Sequence, residues 1–245
     1  MRKLTLILPM AGEGLRFSTS GYNVPKPLID INGLPMFVHA VKNIGLDFDR
    51  YIFIIRSEHK IFGIVEKIKQ YFDNVEIVEV DYKTEGAAKT VMLAAHLLTP
   101  DESIFLSNCD QHVKWEPKNF NNLFKNDKID AAIAVFDEHE SSTKWSYVKL
   151  DNDKVIQTAE KKVISNLASV GYYYWKNAKT MIESFNSMFL ANDKTNNEFY
   201  ICPSFNYIKD NYYVTTFKVD AMYGIGTPED LEKWKKQELL HTEAI

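Results

Sequence analysis

Residues 8–28 have the sequence LPMAGEGLRFSTSGYNVPKPL, which begins inside an apolar run and then becomes rich in glycine and positive charge. Glycines allow the backbone N–H groups of a loop to turn toward an anion, and the guanidinium of Arg16 can form paired hydrogen bonds with phosphate oxygens. The prolines on either side of Lys26 stiffen the backbone, which suits an ammonium held beside one phosphoryl group. The stretch therefore predicts a phosphate site after the first strand. The alternative is an ordinary strand–helix turn with a solvated lysine.

The glycine loop differs from the two common phosphate-binding loops. It lacks the Gly-Lys-Ser/Thr ending of a P-loop, and GEGLRF at 12–17 lacks the third glycine of the dinucleotide fingerprint. In an open parallel sheet, ligands bind beyond the carboxyl ends of the strands. The loop after the first strand is therefore expected to border a ligand site.

Buried strands alternate with amphipathic helices through the first 137 residues. This alternation predicts an α/β fold with a Rossmann-like mixed, mostly parallel sheet flanked by helices. The predicted strands are 4–10, 51–56, 75–80, 103–110 and 129–136, and the predicted helices are 35–46, 59–72 and 86–98.

The pattern changes after residue 137. A hairpin is expected around Asn152-Asp153, followed by strands at 168–175 and 212–219 and helices at 177–190, 197–211 and 227–240, with a break near Pro203 in the helix at 197–211. With no linker or repeat in view, we expect one domain over 1–245, with a nucleotide-binding half at 1–137 and an acceptor-binding half at 138–245.

Composition limits the possible partners and the compartment. A net charge of −4 gives no bulk attraction to nucleic acid or to an anionic membrane, and no segment has the length of a membrane helix. Two cysteines, Cys109 and Cys202, are too few for a disulfide framework. We therefore expect a cytoplasmic protein without nucleic-acid or membrane partners, and leave self-association as a homo-oligomer open.

The chain resembles the sugar-nucleotide pyrophosphorylase, or nucleotidyltransferase, family. The signature of that family is a GxGxR loop flanked by leucine and alanine and then Pro-Lys-Pro; here LPMAGEGLRF is followed by PKPL, whose Lys26 lies ten residues after Arg16. The resemblance extends over nearly the whole chain and implies the GT-A-like nucleotidyltransferase fold. The later segments similar to the family, in the same order, are EGAAKTVMLA (85–94), SNCD (107–110), EKK (160–162), SVGYYYW (169–175) and GIGTPEDL (224–231).

This resemblance implies an enzyme that condenses a nucleoside triphosphate with a phosphorylated acceptor and releases pyrophosphate. An acceptor phosphate is already an oxyanion at neutral pH, so the protein must supply charge neutralisation and alignment rather than a general base. By resemblance, Arg16 neutralises the departing pyrophosphate, and Lys26 bridges the α-phosphate and the acceptor phosphate. The resemblance also implies that Leu8, Ala11, Gly12, Glu13, Gly14, Glu85, Gly86 and Asn108 bind the nucleotide and that Glu160, Lys161, Gly171 and Glu198 bind the acceptor.

A magnesium ion is the cofactor that the resemblance implies, with Asp110 as its ligand. Many family members have a second aspartate where this chain has Gly224, and the nearest acid upstream is Asp220. Either Asp220 completes the site at a shifted strand end, or Asp110 binds Mg²⁺ together with phosphates and water, as Mg²⁺ commonly does.

Two features concern the base and the acceptor. KTEGAAKT at 83–90 lacks the glutamine that many thymidylyl and uridylyl relatives have there, and the tyrosines and asparagines of the second half resemble the capsule-cluster, cytidylyltransferase-like branch. The resemblance favours CTP, with Glu85 as an acceptor for the amino group of cytosine, and phosphoglutamine, phosphocholine or a sugar phosphate as the second substrate. The alternatives are a sugar-1-phosphate uridylyl- or thymidylyltransferase and a catalytically weak nucleotide-binding homologue.

Overall fold

The computed structural model describes residues 2–242, with side chains through residue 238. Its strands are β1 (Leu4–Pro9), β2 (Asp30–Ile31), β3 (Leu34–Pro35), β4 (Arg50–Arg56), β5 (Val75–Val80), β6 (Ser103–Leu106), β7 (Gln111–Lys114), β8 (Ala131–Asp137), β9 (Ser146–Asp151), β10 (Lys154–Glu160), β11 (Leu167–Trp175), β12 (Val214–Lys218) and β13 (Ala221–Gly224). Its α-helices are α1 (Leu15–Thr19), α2 (Met36–Ile44), α3 (Ile64–Tyr71), α4 (Ala87–Met92), α5 (Pro117–Phe124), α6 (Ala178–Leu190) and α7 (Pro228–Thr242). Short 3₁₀ helices lie at Lys26–Leu28, Ser57–Phe62, Ala95–Leu97 and Cys202–Tyr207.

A mixed sheet of nine strands forms the centre of the molecule. The strands β6, β1, β4 and β5 lie side by side and run parallel. The long strand β11 runs antiparallel to β6, β8 and β9, and so joins this parallel block to the strands of the second half. Outside it, β10 pairs with β9, and β12 runs parallel to β8. The predicted α/β class, with a largely parallel central sheet between helices, is confirmed.

Each face of the sheet carries a hydrophobic core, because central parallel strands are covered on both sides. Alternation along β11 divides its aromatic run between the two cores. Tyr172 and Tyr174 belong to the core that includes residues of α2, α3 and α5, whereas Tyr173 and Trp175 belong to the core that includes residues of α4 and α6. All four of these rings are buried. The aromatic run therefore belongs mainly to the core, and β11 is held firmly in the sheet.

A smaller third core supports the glycine-rich stretch. Phe17 of α1 and Ile29 pack with Met36 and with Leu231 and Trp234 of α7. The hairpin of β2 and β3 separates Ile29 from Met36 and returns the chain to α2. The first loop and the last helix of the chain are thus fixed to one another.

Several predicted elements differ from those observed. The predicted helix at 197–211 is wrong: only the 3₁₀ turn Cys202–Tyr207 forms, because Asn196 and Asn197 both have positive φ and Pro203 follows. The predicted helix at 59–72 is divided at Gly63, whose φ of 74° ends the 3₁₀ turn before α3 begins. The predicted strand at 103–110 ends at Leu106, and residues 107–110 form a loop before β7.

Two expectations from composition concern cysteines and membrane helices. Cys109 and Cys202 are both free and buried. Within residues 2–242, no helix has the length and apolar character needed to cross a membrane.

Candidate active site

A cleft of about 570 Å³ opens beyond the carboxyl ends of β1 and β6. Residues 9–13, 83–84, 86–87 and 108–111 contribute from the first half of the chain, and residues 144–146, 169–171, 198 and 200–201 contribute from the second. The loop before α7, with Gly224, Gly226 and Thr227, completes the lining. The cleft therefore brings together segments that are more than 200 residues apart in sequence.

The glycine loop is shaped by Gly14 more than by Gly12. Gly14 has a φ of 62° at the start of α1, and a Cβ placed on it would lie 3.1 Å from Cβ of Lys26. A Cβ on Gly12 would have no heavy atom within 4 Å. Gly14 thus permits the left-handed turn and the close approach of the Pro-Lys-Pro segment, while Gly12 leaves open space at the cleft.

Lys26 and Asp110 form an ion pair in the cleft. Nζ of Lys26 lies 2.8 Å from Oδ2 of Asp110, and both side chains are partly exposed. Lys26 begins a 3₁₀ turn between Pro25 and the buried Pro27, in which the N–H of Leu28 donates to the carbonyl of Pro25 at 2.8 Å. Burial lowers the pKa of Lys26, but the Asp110 carboxylate outweighs it, and the net pKa is raised. The ammonium is therefore fully charged at neutral pH.

Asp110 is held against the glycine of the GIGT segment. A Cβ on Gly226 would lie 2.3 Å from Oδ2 of Asp110, and the N–H of Ile225 donates to the carbonyl of Asp110 at 3.0 Å. Next to it, burial raises the pKa of Cys109 to about 12, so this thiol is neutral and adds no charge. Asp110 thus presents a carboxylate to the cleft between Lys26 and the closing loop.

Asp220 does not lie near Asp110. In the pairing of β7 with β13, Gly224 lies opposite Gln111, but Ala221 lies opposite Lys114, so Asp220 is beyond the far end of this ladder. Its side chain is exposed, and its N–H donates to the carbonyl of Lys114 at 2.8 Å. The geometry gives no support to the expectation that Asp220 replaces the missing aspartate, because an intact ladder separates it from the cleft.

The metal-binding capacity of the cleft rests on Asp110. The described residues contain no group of three or more His, Cys, Asp and Glu side chains placed to hold a metal ion. One carboxylate beside a phosphate site nevertheless fits Mg²⁺, which usually takes one or two carboxylates plus phosphate oxygens and water. Asp230 also lines the cleft, and its Oδ2 lies 3.9 Å from the position of a Cβ on Gly224.

The second half supplies carboxylates and aromatic rings to the other end of the cleft. Glu160 accepts a hydrogen bond from Oγ of Ser146, and burial raises the pKa of Glu160. Lys161, next to it, does not line the cleft but donates from Nζ to the hydroxyl of Tyr200 at 2.6 Å. Gly171 has a φ of 84°, and a Cβ there would lie 2.2 Å from Nδ2 of Asn108. This end can therefore accept hydrogen bonds from a polar substrate.

A tight turn at residues 195–198 places Glu198 in the cleft and is followed by hydrogen bonds between the two halves of the chain. Asn196 and Asn197 both have positive φ, and Thr195 and Glu198 exchange two backbone hydrogen bonds of 3.0 Å, as in a type I′ turn. The next residue, Phe199, donates from N–H to the carbonyl of Glu85 at 2.7 Å and accepts from the N–H of Ala88 at 3.0 Å. Glu198 and Gly86 thus face the same cleft.

Three residues expected to bind the nucleotide do not line the cleft: Gly14, which shapes the loop beside it, Leu8 and Glu85. Leu8 is fully buried within β1, opposite Phe53 of β4. Glu85 is about half exposed and forms an ion pair of 2.6 Å with Lys194 outside the cleft. The expected residues that do line the cleft are Ala11, Gly12, Glu13, Arg16, Lys26, Gly86, Asn108, Asp110, Glu160, Gly171 and Glu198.

The sequence did not single out several residues that line the cleft. Thr84 lies within the KTEG segment, directly before Glu85. Lys83 forms an ion pair of 2.8 Å with Glu13 across the cleft mouth. Lys144 and Trp145 come from a polar loop with no sequence signal, so only the fold places them here.

Replacing Arg16 with lysine is expected to reduce turnover by about tenfold or more, because lysine cannot reproduce the paired hydrogen bonds of a guanidinium with phosphate oxygens. Arg16 is exposed at the cleft and forms no ion pair with any described carboxylate. Steady-state kinetics of pyrophosphate release measure the effect. Equal kcat and KM for the two proteins would remove Arg16 from the phosphate site.

The cleft at the strand ends of the mixed α/β sheet thus contains the glycine loop and the Lys26–Asp110 ion pair. The nucleotidyl transferase family model matches residues 5–239, and the chain belongs to this family. A search of curated protein sequences finds no match to this chain.

Solved structures share the fold along nearly the whole chain. A nucleoside-diphosphate-sugar pyrophosphorylase from Vibrio cholerae is 24% identical, with a TM-score of 0.77 over 93% of this chain and 98% of that one. The inositol-1-phosphate CTP transferase from T. maritima is 15% identical, with a TM-score of 0.72 over 94% and 92%. A UDP-glucose pyrophosphorylase from Acinetobacter baumannii is 18% identical, with a TM-score of 0.70 over 95% and 92%.

Proposed function

We propose that this protein transfers the nucleoside monophosphate of CTP to a phosphorylated small molecule and releases pyrophosphate. An oxygen of the acceptor phosphate attacks the α-phosphorus, and the bond from that phosphorus to the bridging oxygen of the pyrophosphate breaks. The observation that carries the proposal is the charged Lys26 ammonium, fixed by two prolines and 2.8 Å from Asp110 in the cleft. Its partner carboxylate lies in a family position suited to a metal ion.

In this proposal, backbone N–H groups and two cationic side chains of the cleft bind and neutralise the phosphates. Backbone groups of residues 11–14 hold the triphosphate, and Arg16 neutralises the leaving pyrophosphate. Lys26 lies between the two reacting phosphates and stabilises the charge that develops during transfer. Because the attacking phosphate is already ionised, no residue has to act as a general base.

Asp110 would hold the magnesium ion, which supplies positive charge to the phosphate oxygens when it is bound. With Asp220 outside the cleft, water and phosphate oxygens complete the coordination in this proposal. The ammonium of Lys26 donates to the Asp110 carboxylate at 2.8 Å, and in this proposal it would donate to phosphate oxygens once that carboxylate holds the metal ion.

The halves at 1–137 and 138–245 would bind the nucleotide and the acceptor, respectively. CTP is favoured by the likeness to the cytidylyltransferase branch and by the absence of glutamine before Gly86. Glu160 and Glu198 would accept hydrogen bonds from an amine, amide or hydroxyl of the acceptor, which suits phosphoglutamine, phosphocholine or a sugar phosphate. A sugar-1-phosphate uridylyl- or thymidylyltransferase is the second candidate, because a nucleoside-diphosphate-sugar pyrophosphorylase and a UDP-glucose pyrophosphorylase are among the solved structures that share this fold.

A cytoplasmic role in making an activated precursor for capsule or surface polysaccharide belongs to the same proposal. A catalytically weak nucleotide-binding homologue is the alternative, and Gly224 is the feature that favours it. Retention of Arg16, Lys26 and Asp110 in one cleft supports the enzyme.

The deciding experiment measures pyrophosphate release with CTP, UTP, dTTP, GTP and ATP against a panel of phosphorylated acceptors, with the mass of each product determined. A product with the mass of CMP joined to an acceptor phosphate supports the proposal. A uridylyl or thymidylyl product would replace CTP with the second candidate. Nucleotide binding without any product would favour the weak homologue.

Removing divalent metal with excess chelator is expected to abolish turnover, and Mg²⁺ alone should restore it. Asp110→Asn should raise the Mg²⁺ concentration needed for half-maximal rate by about tenfold or more, because the amide carries no negative charge. Asp220→Asn is the matched control and should leave the Mg²⁺ requirement unchanged. Activity that persists in chelator would contradict the metal requirement, and equal effects of the two substitutions would contradict the role of Asp110.

A further inference from the structure

Two threonine hydroxyls meet at the end of the cleft formed by the first half of the chain. Oγ1 of Thr84 lies 2.6 Å from Oγ1 of Thr90, and both residues line the cleft. Thr90 is buried in α4, whereas Thr84 is partly exposed on the loop before it. The carbonyl of Gly86 lies 3.2 Å from Oγ1 of Thr90 and 3.3 Å from Oγ1 of Thr84.

Both hydroxyl protons of this pair can be placed in hydrogen bonds within the protein. A threonine in a helix commonly donates to the carbonyl four residues earlier, which for Thr90 is that of Gly86. The 2.6 Å contact then requires the proton of Thr84, because two oxygens this close need a hydrogen between them. In this arrangement Thr84 presents only lone pairs to the cleft. If Thr90 instead donates to Thr84, the proton of Thr84 can point either to the carbonyl of Gly86 or into the cleft, and the proposal rests on the first arrangement.

Under the proposed function, the base must bind at this end of the cleft, because the phosphates and the acceptor are assigned to other residues. Arg16 and Lys26 take the phosphates, and Glu160 with Trp145 lies at the acceptor end. Gly86 and Ala87, close to Thr84 in the chain, add small groups to the cleft lining, as does Ala11, and leave room for a flat pyrimidine ring. Glu198 also lies beside Gly86, because a Cβ on Gly86 would be 3.1 Å from Cβ of Glu198. Glu85, which could have offered an acceptor, is paired with Lys194 outside the cleft.

We propose that Oγ1 of Thr84 accepts a hydrogen bond from the exocyclic amino group of cytosine, with Thr90 holding its proton arrangement, so that this pair selects CTP over UTP and dTTP. The inference rests on the proposed cytidylyltransferase function and names its specificity-determining residue. Uracil and thymine carry a carbonyl at the same ring position. A carbonyl facing Thr84 would bring two acceptors together unless a proton were withdrawn from the internal network, and an unpaired buried polar group discriminates strongly.

The test is calorimetric titration of CTP and of UTP into the protein with Mg²⁺ and without an acceptor, so that no turnover occurs. The wild type is expected to bind CTP about tenfold or more tightly than UTP. Thr84→Val, which has nearly the same shape but no hydroxyl, should bring the two affinities to within about threefold, chiefly by weakening CTP. Thr84→Ser keeps the hydroxyl and should keep most of the preference, and thermal melts check that each variant is folded.

The outcomes separate the inference from the function on which it rests. If CTP is preferred and Thr84→Val leaves the ratio unchanged, the cytidylyl proposal stands and Thr84 is not its reader. If Thr84→Ser loses the preference as fully as Thr84→Val, shape rather than the hydroxyl decides, and the inference is overturned. If UTP binds as tightly as CTP to the wild type, both proposals fail while membership of the nucleotidyltransferase family is unaffected.

Discussion

Lys26→Ala is expected to lower kcat by about a hundredfold to a thousandfold, the usual effect of removing one preorganised group that stabilises developing charge. Nζ of Lys26 lies 2.8 Å from Asp110, within the cleft between the glycine loop and the acceptor end. Its pKa is raised despite burial, so the ammonium is charged throughout the working pH range. Pyrophosphate release at saturating substrate, measured for both proteins, gives the ratio of kcat.

The fold should survive this substitution. The side chains of Lys26 and Asp110 are 20% and 27% exposed, so water can solvate the carboxylate that is left behind, and we expect a loss of about 1 kcal/mol in the free energy of unfolding. Lys26→Met removes the charge but keeps an unbranched side chain next to Gly14, so it distinguishes the effect of losing the charge from the effect of losing the packing. Lys118→Ala, an exposed lysine outside the cleft, should leave kcat unchanged. A kcat for Lys26→Met near that of the wild type would contradict the role.

The fold class was predictable because β1, β4 and β5 are short apolar runs whose periodicity and boundaries are local properties. The helix predicted at 197–211 does not form, and the local sequence supplies only part of the reason. Two consecutive asparagines can adopt positive φ, yet they do so here because the turn must place Glu198 and Phe199 beside Gly86. Tertiary context therefore overrode the helical spacing of the apolar residues.

The phosphate end of the site was predictable for a similar reason. Glycine, arginine and a lysine between prolines lie within twenty residues of one another, and their chemistry is visible without a fold. The base end of the site was not predictable, because the proposed role of Thr84 depends on its 2.6 Å contact with Thr90, which the sequence does not reveal. Glu85 was the natural choice in sequence, but Lys194, 109 residues away, draws its carboxylate outward. No local pattern contains that ion pair.

Gly86→Ala is expected to lower the free energy of unfolding by about 3 kcal/mol or more, the largest effect on stability among these predictions. Gly86 has a φ of 111° and a ψ of 174°, a conformation that residues with a Cβ rarely adopt. A Cβ there would lie 2.6 Å from N and 2.7 Å from O of Phe199. These are backbone atoms, which cannot rotate aside as the end of a side chain can.

The clash would act on the contacts that join the two halves of the chain. N of Phe199 donates to Glu85 and its O accepts from Ala88, so moving this peptide costs two hydrogen bonds as well as the strain at residue 86. Denaturant unfolding of Gly86→Ala measures the loss in the free energy of unfolding. Gly12→Ala is the matched control, because a Cβ at residue 12 would meet no heavy atom within 4 Å. The free energy of unfolding of Gly12→Ala should stay within about 0.5 kcal/mol of the wild-type value. Because Gly86 lies beside Thr84 and Glu198 precedes the displaced Phe199, folded Gly86→Ala protein should show both a weaker affinity for CTP and a higher KM for the acceptor. Equal stability of the two alanine variants would contradict the close packing of Gly86 on Phe199, and an unchanged acceptor KM would show that the turn at 195–198 does not position Glu198 for binding.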